Sequence, residues 1–134
     1  MARVPRSAEG AIKYALLIYG APEASTEERP AGDGAFDDWF AYTRALEEAG
    51  ALLALERLED VDTATTVRVR DGERLLTDGP FVETKEHLLG FYLVELPDLD
   101  TAIDWAARMP HVRRGTVEVR PARPLPDPAP AAAG

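Results

Sequence analysis

The chain has 134 residues, of which 46% are hydrophobic, and it carries a formal net charge of −9 and no cysteine. This length suits one domain with a single core. The acidic balance argues against binding to nucleic acid or to an anionic membrane surface, because both are met by a surplus of Lys and Arg. Disulfides, thiolate catalysis and zinc sites built on sulfur are excluded by the lack of cysteine.

The two ends of the chain differ in composition from its middle. Residues 1–11 are polar and aperiodic, which predicts a flexible leader. Residues 122–134 are rich in Pro and Ala and predict a disordered tail, so that a single domain is expected over 12–121. The start does not resemble a signal peptide and the apolar run at 14–19 is too short to span a bilayer, so we expect a cytoplasmic protein that does not enter the membrane.

The first half of the domain predicts a strand, a helix and a second strand. Residues 12–19 are apolar on both alternating faces, which is typical of a central strand. Asp33 is the expected N-cap of a helix that ends before Gly50, and residues 51–58 predict the next strand. The apolar face of this helix is expected to comprise Phe36, Phe40, Thr43 and Leu46.

The second half begins with the strongest local signal in the chain. Residues 65–70 and 74–77 flank the pair Asp71-Gly72, which predicts a β-hairpin. Residues 88–96 predict another two-faced strand, and 116–120 a short final strand. The helix between them is expected to start at Pro97-Asp98-Leu99-Asp100, to end at Pro110 and to bury Leu99, Ile103, Ala106 and Met109.

The order β, α, β, hairpin, β, α, β predicts an α+β fold, the ferredoxin-like βαββ(hairpin)βαβ arrangement of two split βαβ units. Two helices cover only one face of a four-stranded sheet, yet the strands at 14–19 and 89–96 are apolar on both faces. A second copy of the sheet is the simplest cover for the other face. We therefore predict a homodimer packed sheet against sheet, with a pocket between each sheet and its loops.

A polar motif follows the hairpin. Asp78-Gly79-Pro80-Phe81 and then Glu83-Thr84-Lys85-Glu86 closely resemble the YCII-related proteins of the DGPF subgroup, which are named for the tetrapeptide. The resemblance covers roughly residues 13–121. Further matching segments are Lys13-Tyr14, Leu16-Leu17-Ile18-Tyr19, Ala64-Thr65-Thr66-Val67-Arg68, Gly90-Phe91-Tyr92 and Thr116-Val117-Glu118-Val119-Arg120-Pro121.

The resemblance implies a dimeric α+β barrel of ferredoxin-like protomers, without a known reaction. The resemblance also implies a regulatory link to an extracytoplasmic-function sigma factor, because DGPF proteins look like frequent companions of such factors in genomes. Some YCII-like proteins carry a His in the first helix near an Asp, proposed as a catalytic pair. Residues 33–49 contain no His, so that pair does not transfer to this chain.

The motif has a structural and a functional interpretation. Asp, Gly and Pro form turns, and Phe81 would anchor the turn to the core. Alternatively, the turn presents Asp78 and backbone N–H groups to a ligand at the pocket mouth. On that interpretation the candidate ligand-binding residues are Tyr19, Gly79, Pro80, Phe81, Thr84 and His87.

Glu83 and Lys85 add a possible acid/base pair. In an extended segment they project to the same face, where a partly buried Lys beside a carboxylate can move a proton. The competing interpretation is a solvated charge run. Asp78, Glu83 and Lys85 are thus the candidate catalytic residues.

The two histidines, His87 and His111, lack the spacing of a metal-binding motif, so no metal site and no cofactor are predicted. The function we expect is a small dimeric binding or regulatory module for a small polar or amphipathic ligand. The alternative is a small enzyme that uses Asp78 or Glu83 as base beside Lys85. A third possibility is a structural protein in which the motif serves the dimer interface.

Overall fold

The chain alternates strands and helices in the order that the sequence predicts. The computed structural model describes residues 10–21 and 36–128. Within them, a short 3-10 turn at Pro110–Arg113 precedes the last strand. The strands and helices are β1 (Ile12–Gly20), α1 (Asp37–Glu48), β2 (Leu52–Arg57), β3 (Thr65–Arg70), β4 (Glu73–Asp78), β5 (His87–Leu96), α2 (Leu99–Ala107) and β6 (Thr116–Pro121).

Four of the strands form one antiparallel sheet in the order β2-β5-β1-β6. In this order each helix connects two strands that have a third strand between them. The fold is therefore α+β and compatible with the ferredoxin-like arrangement. The barrel of two protomers stays a prediction.

The remaining strands, β3 and β4, form the predicted hairpin as a separate two-stranded ribbon. Asp71 and Gly72 at its tip both have positive φ, 51° and 79°. This is the conformation of a two-residue turn whose twist matches the flanking strands. All residues of both strands except Thr66 are exposed, so the ribbon stands away from the core.

The two central strands have one covered face and one open face. On β1, Tyr14, Leu16 and Ile18 are buried in the same cluster as residues of both helices. The alternate residues Ala15 and Leu17 are only half-buried. We call these the inner and outer faces of the sheet. Both are apolar, as the sequence predicts for a strand in the centre of a sheet.

Helix α1 packs on the inner face through buried residues of which only Leu46 belongs to the expected stripe. Its buried residues are Tyr42 and Leu46, and Trp39 packs beside them. Phe40 is 62% exposed, so its assignment to the buried face was wrong. The helix begins at Asp37 with Phe36 as N-cap, which corrects the predicted start at Asp33, a residue outside the described part of the chain.

Helix α2 also turns its small residues inward. Ala102, Ala106 and the following Met109 are buried, whereas Leu99 and Ile103 are 49% and 47% exposed, contrary to the expected stripe. The spacing of four residues between Ala102 and Ala106 is as helical as that of Leu99 and Ile103. Small side chains allow the helix to lie close to the sheet, and this choice cannot be read from periodicity.

The termini are described only in part. Residues 1–9 of the predicted leader and residues 129–134 of the predicted tail lie outside the described residues. Residues 122–128 have no regular secondary structure and are exposed. The backbone N–H of Ala122 still donates to the carbonyl of Lys13, at 2.8 Å, which ties the end of the domain to β1.

Asp98 is the N-cap of α2 and makes the stability of this helix dependent on pH. Its carboxylate accepts hydrogen bonds from the Thr101 N–H at 2.8 Å and the Thr101 hydroxyl at 2.7 Å, and these bonds lower the pKa of Asp98. Because the folded-state pKa lies below the unfolded one, the stabilisation is complete above the unfolded value and is lost as the pH falls through the folded value.

The variant Asp98→Ala should therefore have a lower melting temperature than the parent chain at pH 7. The difference between the two should shrink as the pH falls below about 4. Thermal unfolding followed by circular dichroism across this range measures it, with Asp104→Ala on the exposed side of α2 as the control. A difference that does not change with pH would contradict this assignment of the cap.

Candidate functional site

A cavity of about 280 Å³ lies on the inner face, between α1, the end of β2, the start of β5 and the turn at Pro110–Arg113. This volume is near the lower end of the range typical of small-molecule sites. The cavity belongs to one protomer and to the helical side of the sheet. The sequence predicts a pocket between the sheet and its flanking loops, and residues 78–86, expected at the mouth of that pocket, do not line this cavity.

One wall of the cavity is aromatic. Trp39 of α1 stacks on Tyr92 of β5, with ring centroids 6.1 Å apart and planes inclined by 15°. Tyr42 meets both rings edge-on. Trp39 is thus supported from behind by packed rings, which fixes its orientation toward the cavity. Such pairs each contribute about 0.5–1.5 kcal/mol beyond the area that they bury.

Two hydroxyl groups lie in this wall. The Tyr92 hydroxyl and Thr43 Oγ1 are 2.7 Å apart and hydrogen-bonded, and either can be the donor. Burial raises the pKa of Tyr92, while its bond to Thr43 opposes that shift. The phenol is therefore neutral at physiological pH. Tyr42 is also neutral, since burial raises its pKa, and its hydroxyl donates to the carbonyl of Trp105 at 2.8 Å.

Positive charge borders the cavity. Arg57 pairs with Gly90 in the β2–β5 register, which places it on the inner face, and its guanidinium carbon is 5.0 Å from the centre of the Phe36 ring. Arg114 also lines the cavity. Of the acidic neighbours, Asp38 is in the exposed first turn of α1, and Glu56 has the register of the outer face. The side chains at the cavity are thus more cationic than the chain, whose net charge is −9.

His111 closes one end of the cavity. Its Nε2 is 3.0 Å from the carbonyl oxygen of Tyr19, so a hydrogen bond joins the turn at Pro110–Arg113 to β1. The sequence analysis assigns no role to this histidine, because neither histidine has the spacing of a metal-binding motif. In the described ranges no group of three or more His, Cys, Asp or Glu residues is arranged to hold a metal ion.

The predicted site residues lie elsewhere. Asp78 ends β4 and is exposed, and Gly79 and Pro80 form the turn that follows. The Gly79 N–H donates to the carbonyl of Ala64 at 2.7 Å, and its own carbonyl accepts from Thr66 Oγ1 at 2.8 Å. Together with a φ of +99° at Gly79, these bonds give the first half of the motif a structural role.

Phe81 does not anchor the turn to the core. It is 68% exposed, and the guanidinium carbon of Arg68 lies 4.7 Å from its ring centre. The expected anchoring of Phe81 in the core was therefore wrong. An aromatic residue in a turn that stands away from the sheet has no buried surface within reach.

The structure does not bring Glu83 and Lys85 together. Both are exposed in the irregular segment before β5, and no ion pair joins them in the part of the chain that is described. Thr84 Oγ1 donates to the carbonyl of Glu86. The Glu86 carboxylate accepts from Thr116 Oγ1 at 3.0 Å, which ties the end of the motif to β6.

Tyr19 and His87 lie at the end of the β1–β5 ladder, and neither side chain lines the cavity. Burial raises the pKa of Tyr19, and the nearby carboxylate of Glu118 raises it further. Arg120 holds that carboxylate at 2.6 Å on the outer face. None of the residues predicted as catalytic or ligand-binding borders the cavity, so their functional role stays a prediction.

Sequence reasoning missed Trp39, Arg57 and His111 as site residues. Trp39 and Thr43 are four residues apart, a spacing that places them on one side of α1, so a helical pattern could have joined them. Arg57 and His111 reach the cavity from distant parts of the chain. No local pattern marks them.

Comparison with known proteins assigns the chain to a family. A sequence model of the YCII-related domain matches residues 12–126, most of the chain. The chain belongs to the YCII-related family. Over 111 residues it is 38% identical to an uncharacterized protein of Rhizobium meliloti (strain 1021), a stretch that covers 81% of this chain and 90% of that protein. The resemblance to YCII-related proteins is thereby confirmed, and the DGPF subgroup stays a prediction.

The turn of this YCII-related chain can be tested for its structural role. A Cβ at Gly79 would meet no atom within 4 Å, so the cost of Gly79→Ala is backbone strain at positive φ alone. We expect it to lower the free energy of unfolding by about 1 to 3 kcal/mol in urea titrations. Lys85→Ala, at an exposed position nearby, should leave it unchanged. Equal stability of Gly79→Ala and the parent would show that this turn is not required for the fold.

Proposed function

We propose that this protein binds a small planar molecule that carries a negative charge, in the cavity between α1 and the sheet. The observation that carries the proposal is that the stacked Trp39–Tyr92 pair and the guanidinium of Arg57 border the same 280 Å³ space. A flat apolar body would pack against the rings. Its carboxylate would then be within the field of the guanidinium, which binds such groups through two parallel hydrogen bonds.

The size of the cavity supports a ligand of one or two rings. An apolar cavity of about 150 Å³ is enough to hold benzene, so 280 Å³ accommodates a single-ring acid with a substituent. We thereby narrow the ligand expected from the sequence, a small polar or amphipathic molecule, to a planar acid of one or two rings. The predicted link to a sigma factor, the cytoplasmic location and the acid/base role of Asp78, Glu83 and Lys85 stay predictions. In the described residues, no helix is both long and apolar enough to cross a membrane.

Tryptophan fluorescence can report this binding directly. The chain has two tryptophans, and Trp105 is not at the cavity, so the variant Trp105→Phe leaves Trp39 as the single reporter. Benzoate and naphthoate should quench or shift its emission and raise the melting temperature. The neutral amides of the same acids should bind more weakly.

Arg57→Gln in this reporter chain should weaken benzoate binding by about tenfold or more, because a charge-assisted bond contributes about 1.5–3 kcal/mol. Arg44→Gln is the matched control, since Arg44 is on the exposed side of α1 away from the cavity. If neither acid changes the emission or the melting temperature at millimolar concentration, the proposed function is wrong.

We also propose that two copies pack through their outer faces, as the sequence predicts. Leu17 of β1 and Leu93 of β5 lie on that face, on the two central strands, and both are half-buried. Charges of both signs border it, with Lys13 opposite Glu95 and with Glu118 beside Arg120. Charges of both signs on one face allow that face to pair with a second copy of itself related by a twofold axis.

The exposed hairpin supports the same assembly. Val67 and Leu76 face each other across the ribbon, and they are 56% and 61% exposed. A two-stranded ribbon with no packing is only marginally stable in water. A second copy would cover its apolar side.

Substitution of Leu17 by Asp should therefore yield monomers, since it places a charge in the centre of the outer face. Ile103→Asp is the control, because Ile103 is an exposed apolar residue on the helical side of the sheet. Multi-angle light scattering at about 10 micromolar distinguishes the two states, with circular dichroism to confirm folding. A parent chain that elutes as a monomer at this concentration would refute the dimer.

A further inference from the structure

The imidazole of His111 is held in a single orientation. A Cβ on Gly20 would lie 3.0 Å from Nε2 and Cε1 of this ring, and a Cβ on Gly115 would overlap Nε2 and the carbonyl oxygen of Tyr19. The Nε2 edge of the ring is therefore seated between two glycines, where any side chain would displace it. The N–H groups of Arg114 and Gly115 donate to the carbonyl of His111 at 2.9 and 3.1 Å, and these bonds hold the backbone of His111 in the turn.

This seat also determines which ring nitrogen carries the proton. The partner of Nε2 is the carbonyl oxygen of Tyr19, which can only accept, so Nε2 must be the donor. In the neutral ring Nδ1 is then the acceptor. Within the described residues Nδ1 has no hydrogen-bond partner, although His111 lines the cavity. The hydrogen bond to Tyr19 acts as the orienting contact that commonly fixes a functional histidine.

We propose that His111 offers Nδ1 to the ligand and that the cavity selects aromatic acids whose ring carries a hydroxyl group. This inference rests on the proposed function, because it assumes that a planar acid occupies the cavity. The ring of the acid would lie against Trp39, its carboxylate toward Arg57, and its hydroxyl would donate to Nδ1 of His111. Arg57 would bind the carboxylate, and His111 would favour acids whose ring carries a hydroxyl group.

The matched probes are benzoate, its meta- and para-hydroxy derivatives and the corresponding methoxy compounds, which keep the oxygen and lose the donor. They are titrated into the Trp105→Phe chain at a single pH, so that only the ligand differs between titrations. One of the two hydroxybenzoates should bind about five- to tenfold more tightly than its methoxy analogue, the ratio expected for one net hydrogen bond.

Two substitutions separate the nitrogens of His111. In His111→Gln the amide nitrogen can replace Nε2 as donor to Tyr19, while the acceptor at the position of Nδ1 is lost. In this variant the hydroxy acid should bind no more tightly than its methoxy analogue, so the ratio of their affinities should fall to about one. In His111→Asn the amide oxygen can replace Nδ1, so the ratio should be partly retained while the melting temperature falls. His87→Gln, in the histidine away from the cavity, should keep the full ratio.

The tautomer gives a readout that needs no variant. In protein labelled with nitrogen-15 in its two histidines, the resonances of His111 should show a proton on Nε2 and none on Nδ1. The hydroxybenzoate that binds more tightly should shift the Nδ1 resonance, and its methoxy analogue should not. A proton on Nδ1 in the free protein would overturn the inference.

The outcomes also separate this inference from the proposed function. If benzoate and all its derivatives bind with equal affinity, or if the preference survives in His111→Gln, the role of His111 is wrong while the acid-binding cavity stands. If none of the acids binds, both are wrong.

Discussion

The packing of Trp39, Tyr92 and Trp105 around Tyr42 is the contact on which the other features of the protomer depend. Tyr42 lies at the centre of this group, with its ring edge-on to Trp39, Tyr92 and Trp105. Since these residues belong to α1, β5 and α2, one set of ring contacts joins both helices to the sheet. The Tyr42 hydroxyl donates to the backbone carbonyl of Trp105 in α2, so this buried hydroxyl has a partner.

The same packing creates the cavity. Trp39 is stacked on Tyr92 in this aromatic group, and both residues line the cavity. A rigid aromatic wall costs a ligand little conformational entropy, because the ring is already ordered in the free protein. The opposite end is closed by the turn at Pro110–Arg113, which the bond from His111 holds against β1. The packing of the protomer and the wall of the cavity therefore depend on the same residues.

The two faces of the sheet have different chemistry. The inner face is covered by helices and contains the cavity. The outer face and the hairpin have apolar residues without cover in the described chain, and the motif from Asp78 to Glu86 runs between them. Its hydrogen bonds to Ala64, Thr66 and Thr116 connect the hairpin to the edge of the sheet. We infer that the motif positions the hairpin, which is the element that a second copy would contact.

Much of the fold could be predicted from local patterns in the sequence. The hairpin over 65–78 was predicted from Asp71-Gly72, because few residues adopt two consecutive positive φ angles. The strands β1 and β5 were predicted as central from their apolar runs, and their boundaries agree to within a residue or two. The helical faces were predicted only in part. Leu46, Ala106 and Met109 are buried as expected, whereas Phe40, Leu99 and Ile103 have the same helical spacing and are exposed. Periodicity defines a helix but does not determine which of two apolar stripes meets the sheet.

The candidate site could not be predicted in the same way. The motif was predicted as the site because its polar residues are adjacent in sequence. In the structure these residues form a turn and an irregular segment in which Glu83 and Lys85 are exposed to solvent. Trp39, Arg57 and His111 are far apart in sequence and meet only where α1, β2 and the final turn converge. By itself the sequence determined the order of the elements, the family and an open second face, because these depend on local conformation and composition. Only the tertiary structure decided which residues share a cavity, since that depends on how helices pack on one face of the sheet.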